Sequence, residues 1–151
     1  KAAEGIRAGA SVEEAGALVE QRRTGGILLV AFETLRYLEK GGRIGRMRAL
    51  VGTMLSVKPI MEVKLAEVHT IEQVRTWKRV PGRMIELAQA RGTYDELAVL
   101  YTTTRDTAEQ LADQCAAAGL MPRERIYIQQ AGGVLGTHAG PGALGLGGLL
   151  K

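Results

Sequence analysis

Residues 132–148 read GGVLGTHAGPGALGLGG, with glycine at eight of seventeen positions. Glycine has no Cβ, so such a run lets the backbone take positive φ and lets a ligand or a neighbouring strand come close. Val134, Leu135, Leu144, Leu146, Leu149 and Leu150 interleave the glycines, where a solvated tail would carry serine and charge. The run is therefore part of the fold. His138 stands in its middle, just ahead of Gly140-Pro141-Gly142. Imidazole is the side chain that most readily changes protonation near neutral pH, and a turn that fixes it places it to meet something.

Working outward, 126–130 is a short apolar strand, and 106–118 a helix with Ala108, Leu111, Ala112 and Cys115 on its inner face. Residues 97–102 form a buried strand, and 78–91 a helix that turns Val80, Met84, Leu87 and Ala88 inward. Residues 57–63 and 68–71 read as a hairpin, in which Pro59 puts the first strand at an edge or delays its start. Short helices are expected at 34–40, closed by Gly41-Gly42, and at 46–55, where Met47, Leu50, Val51 and Met54 share a face. The run 27–32 is a buried strand behind Thr24-Gly25-Gly26. A helix to about residue 23 starts at Ser11, whose spacing to Glu14 is that of a capping box. Residues 2–9 read as the remnant of a helix stopped by Gly9. Strands alternate with helices and one adjacent pair is a hairpin, so the expected class is α/β, a mixed sheet with helices packed on it.

The 151 residues suit one domain, 1–151, divided into a helical lead-in (1–25) and a main α/β body (26–151). Aromatics make up 4%, too few for the stacking platforms of single-stranded nucleic-acid binding. The formal charge of +4 is a mild basic surplus, and only clustering would give it meaning. One cysteine excludes an internal disulfide, and with two distant histidines it makes no closed zinc site. No apolar run approaches the ~18–20 residues of a membrane span, and no signal peptide is visible, so a cytoplasmic location is expected.

Lys40, Arg43, Arg46 and Arg48 surround Gly41 and Gly42. Two glycines there can turn backbone N–H groups into an anion nest to which Arg43 adds a guanidinium. The same residues also read as a helix C-cap followed by surface arginines. A phosphate- or nucleotide-handling lobe of an enzyme built on this turn is the alternative function, although no GxxxxGK[ST] spacing occurs. Nucleic-acid binding through the arginines is a weaker option. Cys115 is expected in the core, and His69, alternating with Val68 and Thr70, on the solvent side of a strand. No carboxylate pair or nucleophile–base set is present, so any chemistry belongs to a larger assembly.

The ordered set LRYLEKGGRIG (35–45), GTMLSVKPIMEV (52–63), Arg75 after the hairpin, and GGVLGTHAGPGALG (132–145) resembles the DegV family. These are bacterial fatty-acid-binding proteins, among them the acyl-binding subunit of fatty acid kinase, which serve phospholipid metabolism. The resemblance covers almost the whole chain but only the C-terminal half of the family's length. It implies the C-terminal lobe of a two-lobed fold, with the acyl chain in the cleft between lobes. The missing N-terminal lobe would carry the family's carboxylate-holding Thr and Ser. The chain begins in mid-helix pattern without an initiator Met, as expected of a truncated domain.

On this resemblance His138 and Arg43 serve the lipid carboxylate or acyl phosphate, and Arg75 the kinase partner or its phosphate. The glycine track of Gly136, Thr137, Gly140 and Gly142 forms a strand-like floor where the headgroup approaches. The implied partners are a long-chain fatty acid and a separate ATP-dependent kinase subunit; the chain itself would be no enzyme and need no metal or cofactor. Met54, Leu55, Val57, Ile60 and Met61 either line part of an apolar slot or are plain core. Ser56 stands where the family often has Asn, and the hairpin turn Lys64-Leu65-Ala66-Glu67 lacks the family's glycine.

Overall fold

A computed structural model describes residues 1–45, 57–64 and 67–151. The helix expected at 46–55 lies outside the described residues, as do Arg46, Arg48, Met54, Leu55, Ser56, Leu65 and Ala66. Two helices, α1 (Ala2–Arg7) and α2 (Val12–Arg23), lead in. The capping box holds as expected: the Glu14 N–H donates to Ser11 Oγ at 3.1 Å and the Ser11 N–H to Glu14 Oε2 at 2.7 Å.

The body contains β1 (Gly26–Ala31), α3 (Arg36–Lys40), β2 (Lys58–Lys64) and β3 (Glu67–Val74). It continues through α4 (Val80–Gln89), β4 (Tyr94–Tyr101), α5 (Arg105–Ala117) and β5 (Ile126–Gln130). It ends with α6 (Gly133–Ala139) and β6 (Leu144–Leu150). The six strands form one sheet in the order β3-β2-β1-β6-β4-β5. Among the described strands, β4 and β5 run parallel, joined by α5, and the other neighbouring pairs are antiparallel, so the sheet is mixed. Pro59 sits inside this sheet, not at its edge. Its missing N–H is tolerated because the ladder to β1 begins one residue later, at Ile60 opposite Ala31.

The glycine track departs from expectation. Residues 133–139 are helical rather than extended, and residues 144–150 fill the centre of the sheet between β1 and β4. Leu144 and Leu146 alternate inward with Leu29, Leu97 and Val99 to form the main core, which α4 and α5 cover with Met84, Ala88, Leu111, Ala112 and Cys115. Gly148 on the same face lies under the ring of Tyr94, whose Cδ1 would stand 2.6 Å from a Cβ at that position. Tyr94 is held there by its hydroxyl, which donates to the Ala88 carbonyl at 2.6 Å. The central strand therefore keeps glycine to seat an aromatic ring, despite the intrinsic cost of glycine in a strand.

On the opposite face a smaller cluster forms from Phe32, Leu35, Leu38, Ile44, Met61 and Ala143. Successive residues of a strand face opposite sides of the sheet, and here both sides are covered, so neighbours in β2 are both buried. Ile60 enters the main core and Met61 the smaller one, so these two described members of the expected slot are core residues. Cys115 is fully buried, and burial pushes its thiol up to about 12. His69 is exposed on β3 beside Glu67, at 3.1 Å.

Candidate functional site

Two short helices and their closing turns build the site. α3 ends in a Schellman arrangement: the Arg43 N–H donates to the Leu38 carbonyl at 2.8 Å and the Gly42 N–H to Glu39 at 3.0 Å, with Gly42 at φ +68. The Gly41 N–H donates to the Tyr37 carbonyl at 2.9 Å. All three amides are spent on α3 itself. This corrects the anion-nest reading of Gly41-Gly42, since no N–H of the turn is left for a phosphate; the C-cap reading is the one that holds.

The turn instead provides a seat. Gly41 lies against the His138 ring so closely that a Cβ there would sit on Nδ1 and 3.0 Å from Cε1. The Arg43 guanidinium donates through Nη1 to the Gly41 carbonyl at 2.8 Å. His138 and Arg43, almost a hundred positions apart in sequence, thus meet on two sides of one glycine. His138 is half-buried, and its Nδ1 is buried with no hydrogen-bond partner among the described residues. A buried ring nitrogen without an acceptor is least costly when the proton stays on Nε2, which then remains as the donor. Arg43 is exposed, and among the described residues its guanidinium bonds only the Gly41 carbonyl; a guanidinium can grip an anion through two N–H groups at once.

The α6 side is braced from β4. Thr103 Oγ1 accepts the Gly142 N–H at 3.0 Å and Thr102 Oγ1 accepts the Ala143 N–H at 3.1 Å, pinning the Gly-Pro-Gly turn to the carboxyl end of β4. Gly142, at φ +71, has the Glu33 carboxylate where its Cβ would be. Gly140, at φ +74, lies under the Tyr37 ring. Thr137 turns its hydroxyl back onto the Gly133 carbonyl at 2.8 Å.

Beyond the carboxyl ends of the parallel pair β4 and β5 opens a cleft of about 810 Å³. Tyr37, Thr102, Thr103, Gln129, Gln130, Gly136, Thr137 and Gly140 line it, together with the ends of the adjoining turns. Clefts at such strand ends are the usual ligand positions of α/β sheets. Its lining offers hydroxyls, amides and bare backbone; His138 is turned away from it toward Gly41. On the sheet face below, Gly145 and Gly147 of β6 stand between Leu28 and Val30 of β1 and Ala98 and Leu100 of β4, a smooth apolar strip whose side chains are half-buried.

Of the expected site residues, the structure brings His138, Arg43, Gly140 and Gly142 together and puts Gly136 and Thr137 on the cleft wall. Arg75 is not among them: it is exposed past the end of β3, on the far edge of the sheet from β5. The reading of motifs missed Tyr37, Glu33, Thr102 and Thr103. The signal for the threonines was present, as three consecutive hydroxyls directly follow a buried strand.

Comparison with known proteins follows the same outline. A family model described as "Uncharacterised protein, DegV family" matches residues 1–151. A DegV domain-containing protein of Streptomyces coelicolor is 36% identical over 149 residues, covering 96% of this chain and 52% of that protein. The crystal structure of a fatty acid binding DegV family protein from Streptococcus agalactiae superposes with a TM-score of 0.86 at 30% identity, over 99% of this chain and 53% of that one. A DegV family protein from Thermus thermophilus, described by its fatty acid binding, gives 0.87 at 28% identity, over 99% and 54%. The chain spans about half the length of the relatives it matches. No described helix is long and apolar enough to cross a membrane. Matched along its whole length by the family model, and sharing its mixed sheet with solved members, the chain belongs to the DegV family.

Proposed function

We propose that this chain binds a long-chain fatty acid, supplying one side of the site, and presents the acyl carboxylate to a separate ATP-dependent kinase in the cytoplasm. The observation that carries this reading is the shared seat at Gly41, against which the His138 imidazole packs and to whose carbonyl the Arg43 guanidinium donates. A carboxylate needs such a charge-assisted donor pair, and an acyl phosphate needs it more. Arg43 supplies the charge and His138 a directional N–H. The half-buried strip over Gly145 and Gly147 gives the hydrocarbon tail an apolar wall of Leu28, Val30, Ala98 and Leu100. That two solved relatives are fatty-acid binders supports the ligand class.

In this reading the chain performs no bond-making step. Arg75, exposed and away from the headgroup, serves the kinase partner or the phosphate it delivers. The competing phosphate- or nucleotide-handling reading loses its main support, because the Gly-Gly turn has no free N–H groups. Retention of fatty acid decides between them. Protein purified without added lipid and extracted into organic solvent is expected to yield long-chain fatty acid, and less of it from His138→Ala and Arg43→Ala. Equal yields from all three, or protection of the Arg43 region by ATP without lipid, contradict the reading.

A further inference from the structure

We propose that Tyr37 is the positioning residue of this site, fixing the seat of the His138 imidazole through two separate contacts. The role rests on the fatty-acid reading for its biological meaning, but not for its geometry. Tyr37 lies in the first turn of α3, so its carbonyl accepts the N–H of Gly41, the residue against which His138 rests. Its ring reaches the other way, onto Gly140, where a Cβ would stand 2.8 Å from Cγ and 3.0 Å from Cε2. Gly140 closes α6 two residues after His138. Its N–H is bonded to the Gly136 carbonyl at 2.9 Å, and its backbone, at φ 74 and ψ 179, is in a region that glycine alone occupies freely.

The two helices are thus joined by a reciprocal pair of contacts. A ring from α6 lies on the glycine that follows α3, and a ring from α3 lies on the glycine that follows α6. Displacing either ring loosens the other's seat. Burial separates this role from ordinary core packing. α3 is anchored in the smaller cluster by Leu35 and Leu38, at 1% and 8% exposure, whereas Tyr37 is 39% exposed and lines the cleft. An aromatic ring left that open contributes little to the core. Its hydroxyl donates to no described residue, so the ring and not the phenol makes the contact.

The test reads the His138 ring directly, in the ligand-free chain, by its Cε1–H NMR signal, assigned by the loss of that signal in His138→Gln. His69 serves as an internal reference. Tyr37→Ala is expected to shift or broaden the His138 signal while leaving His69 in place. Tyr37→Phe is expected to keep the wild-type signal, and Ile128→Ala, which opens the main core on β5, to lower the melting temperature without moving it. An unmoved His138 signal in Tyr37→Ala, an equal change in Ile128→Ala, or a failure of Tyr37→Phe to rescue overturns the proposal. With fatty acid added, Tyr37→Ala is expected to bind about tenfold more weakly, the equivalent of one misaligned hydrogen bond. If the ring moves but neither protein takes up fatty acid, the functional reading falls and the positioning role stands. If uptake is intact in both and the ring does not move, the reverse holds.

Discussion

The His138 imidazole lies against Gly41 with no room for a methyl group between them: a Cβ at that position would be 3.0 Å from Cε1 and closer still to Nδ1. Two sequence motifs that look like independent signatures are therefore one contact. Gly41 itself sits at φ −79 and ψ −1, a conformation any residue adopts, so its small size answers to its neighbours, the ring first and the Tyr37 carbonyl, 3.1 Å from a Cβ, second.

Gly41→Ala follows from this. Without His138 the change would cost little, because only the Tyr37 carbonyl, 3.1 Å from the new Cβ, has to give and alanine restricts the unfolded chain. With the ring in place, the overlap costs about 1–3 kcal/mol. The double variant Gly41→Ala/His138→Ala is expected to recover most of that loss in urea denaturation. The coupling of about 1 kcal/mol or more is the signature of direct contact, and additive single-variant effects would refute it.

Gly148→Ala is expected to be destabilising by about 1–3 kcal/mol for the same kind of reason, since the new methyl meets the Tyr94 ring in the middle of the sheet. The midpoint in urea falls while the slope stays constant. Truncating the ring relieves the overlap but adds a large cavity, so Tyr94→Ala is not expected to rescue it. A Gly148→Ala protein as stable as wild type shows that the ring is not seated there.

Alkaline stability depends on two buried groups. Burial raises the Cys115 thiol from 9.0 to about 12 and the Tyr94 hydroxyl from 10.0 to about 12. Below about pH 8 both groups are essentially neutral in folded and unfolded chains alike and add little pH dependence. Between about pH 9 and 12 the unfolded chain ionises first, so stability falls as pH rises. Denaturation midpoints are expected to be flat with respect to these groups at pH 7–8 and to decline above pH 9, less steeply in Cys115→Ala. Curves of equal steepness count against a buried thiol. In the native protein at pH 8 the thiol should also resist a thiol reagent until the chain unfolds.

Arg75→Ala separates ligand capture from hand-over. Arg75 is exposed beyond β3, so stability is expected to change by less than about 0.5 kcal/mol and fatty-acid uptake to hold. Kinase-dependent formation of acyl phosphate is expected to drop. Loss of uptake in this variant places Arg75 in the lipid site instead.

Much of this was legible in sequence. The strands at 27–32, 97–102 and 126–130 and the inner face of α5 follow from their apolar patterns, and the capping box from the spacing of Ser11 to Glu14. The glycine track was legible as important but not in form. Leu144-Gly145-Leu146-Gly147-Gly148 has too little side chain to show a strand period, and its central place depends on β1 and β4 closing around it. The helix at Gly133–Ala139 carries two glycines, Gly133 and Gly136, that local propensity counts against. His138, Arg43 and the two closing glycines were recognisable as a set, while Tyr37 was not. A tyrosine in an amphipathic segment reads as core, and only the fold reveals that its ring stops on Gly140.

The central claim is that His138 and Arg43, joined at Gly41, hold a fatty-acid carboxylate. The direct measurement is a titration of the isotope-labelled chain with a long-chain fatty acid, followed at the His138 ring, the Arg43 guanidinium N–H groups and the Gly41 amide, with the methyl ester as a parallel ligand. Saturable changes at all three with the acid, weaker with the ester and lost in His138→Ala, are the predicted result. Changes identical for acid and ester, or confined to residues away from Gly41, contradict the account.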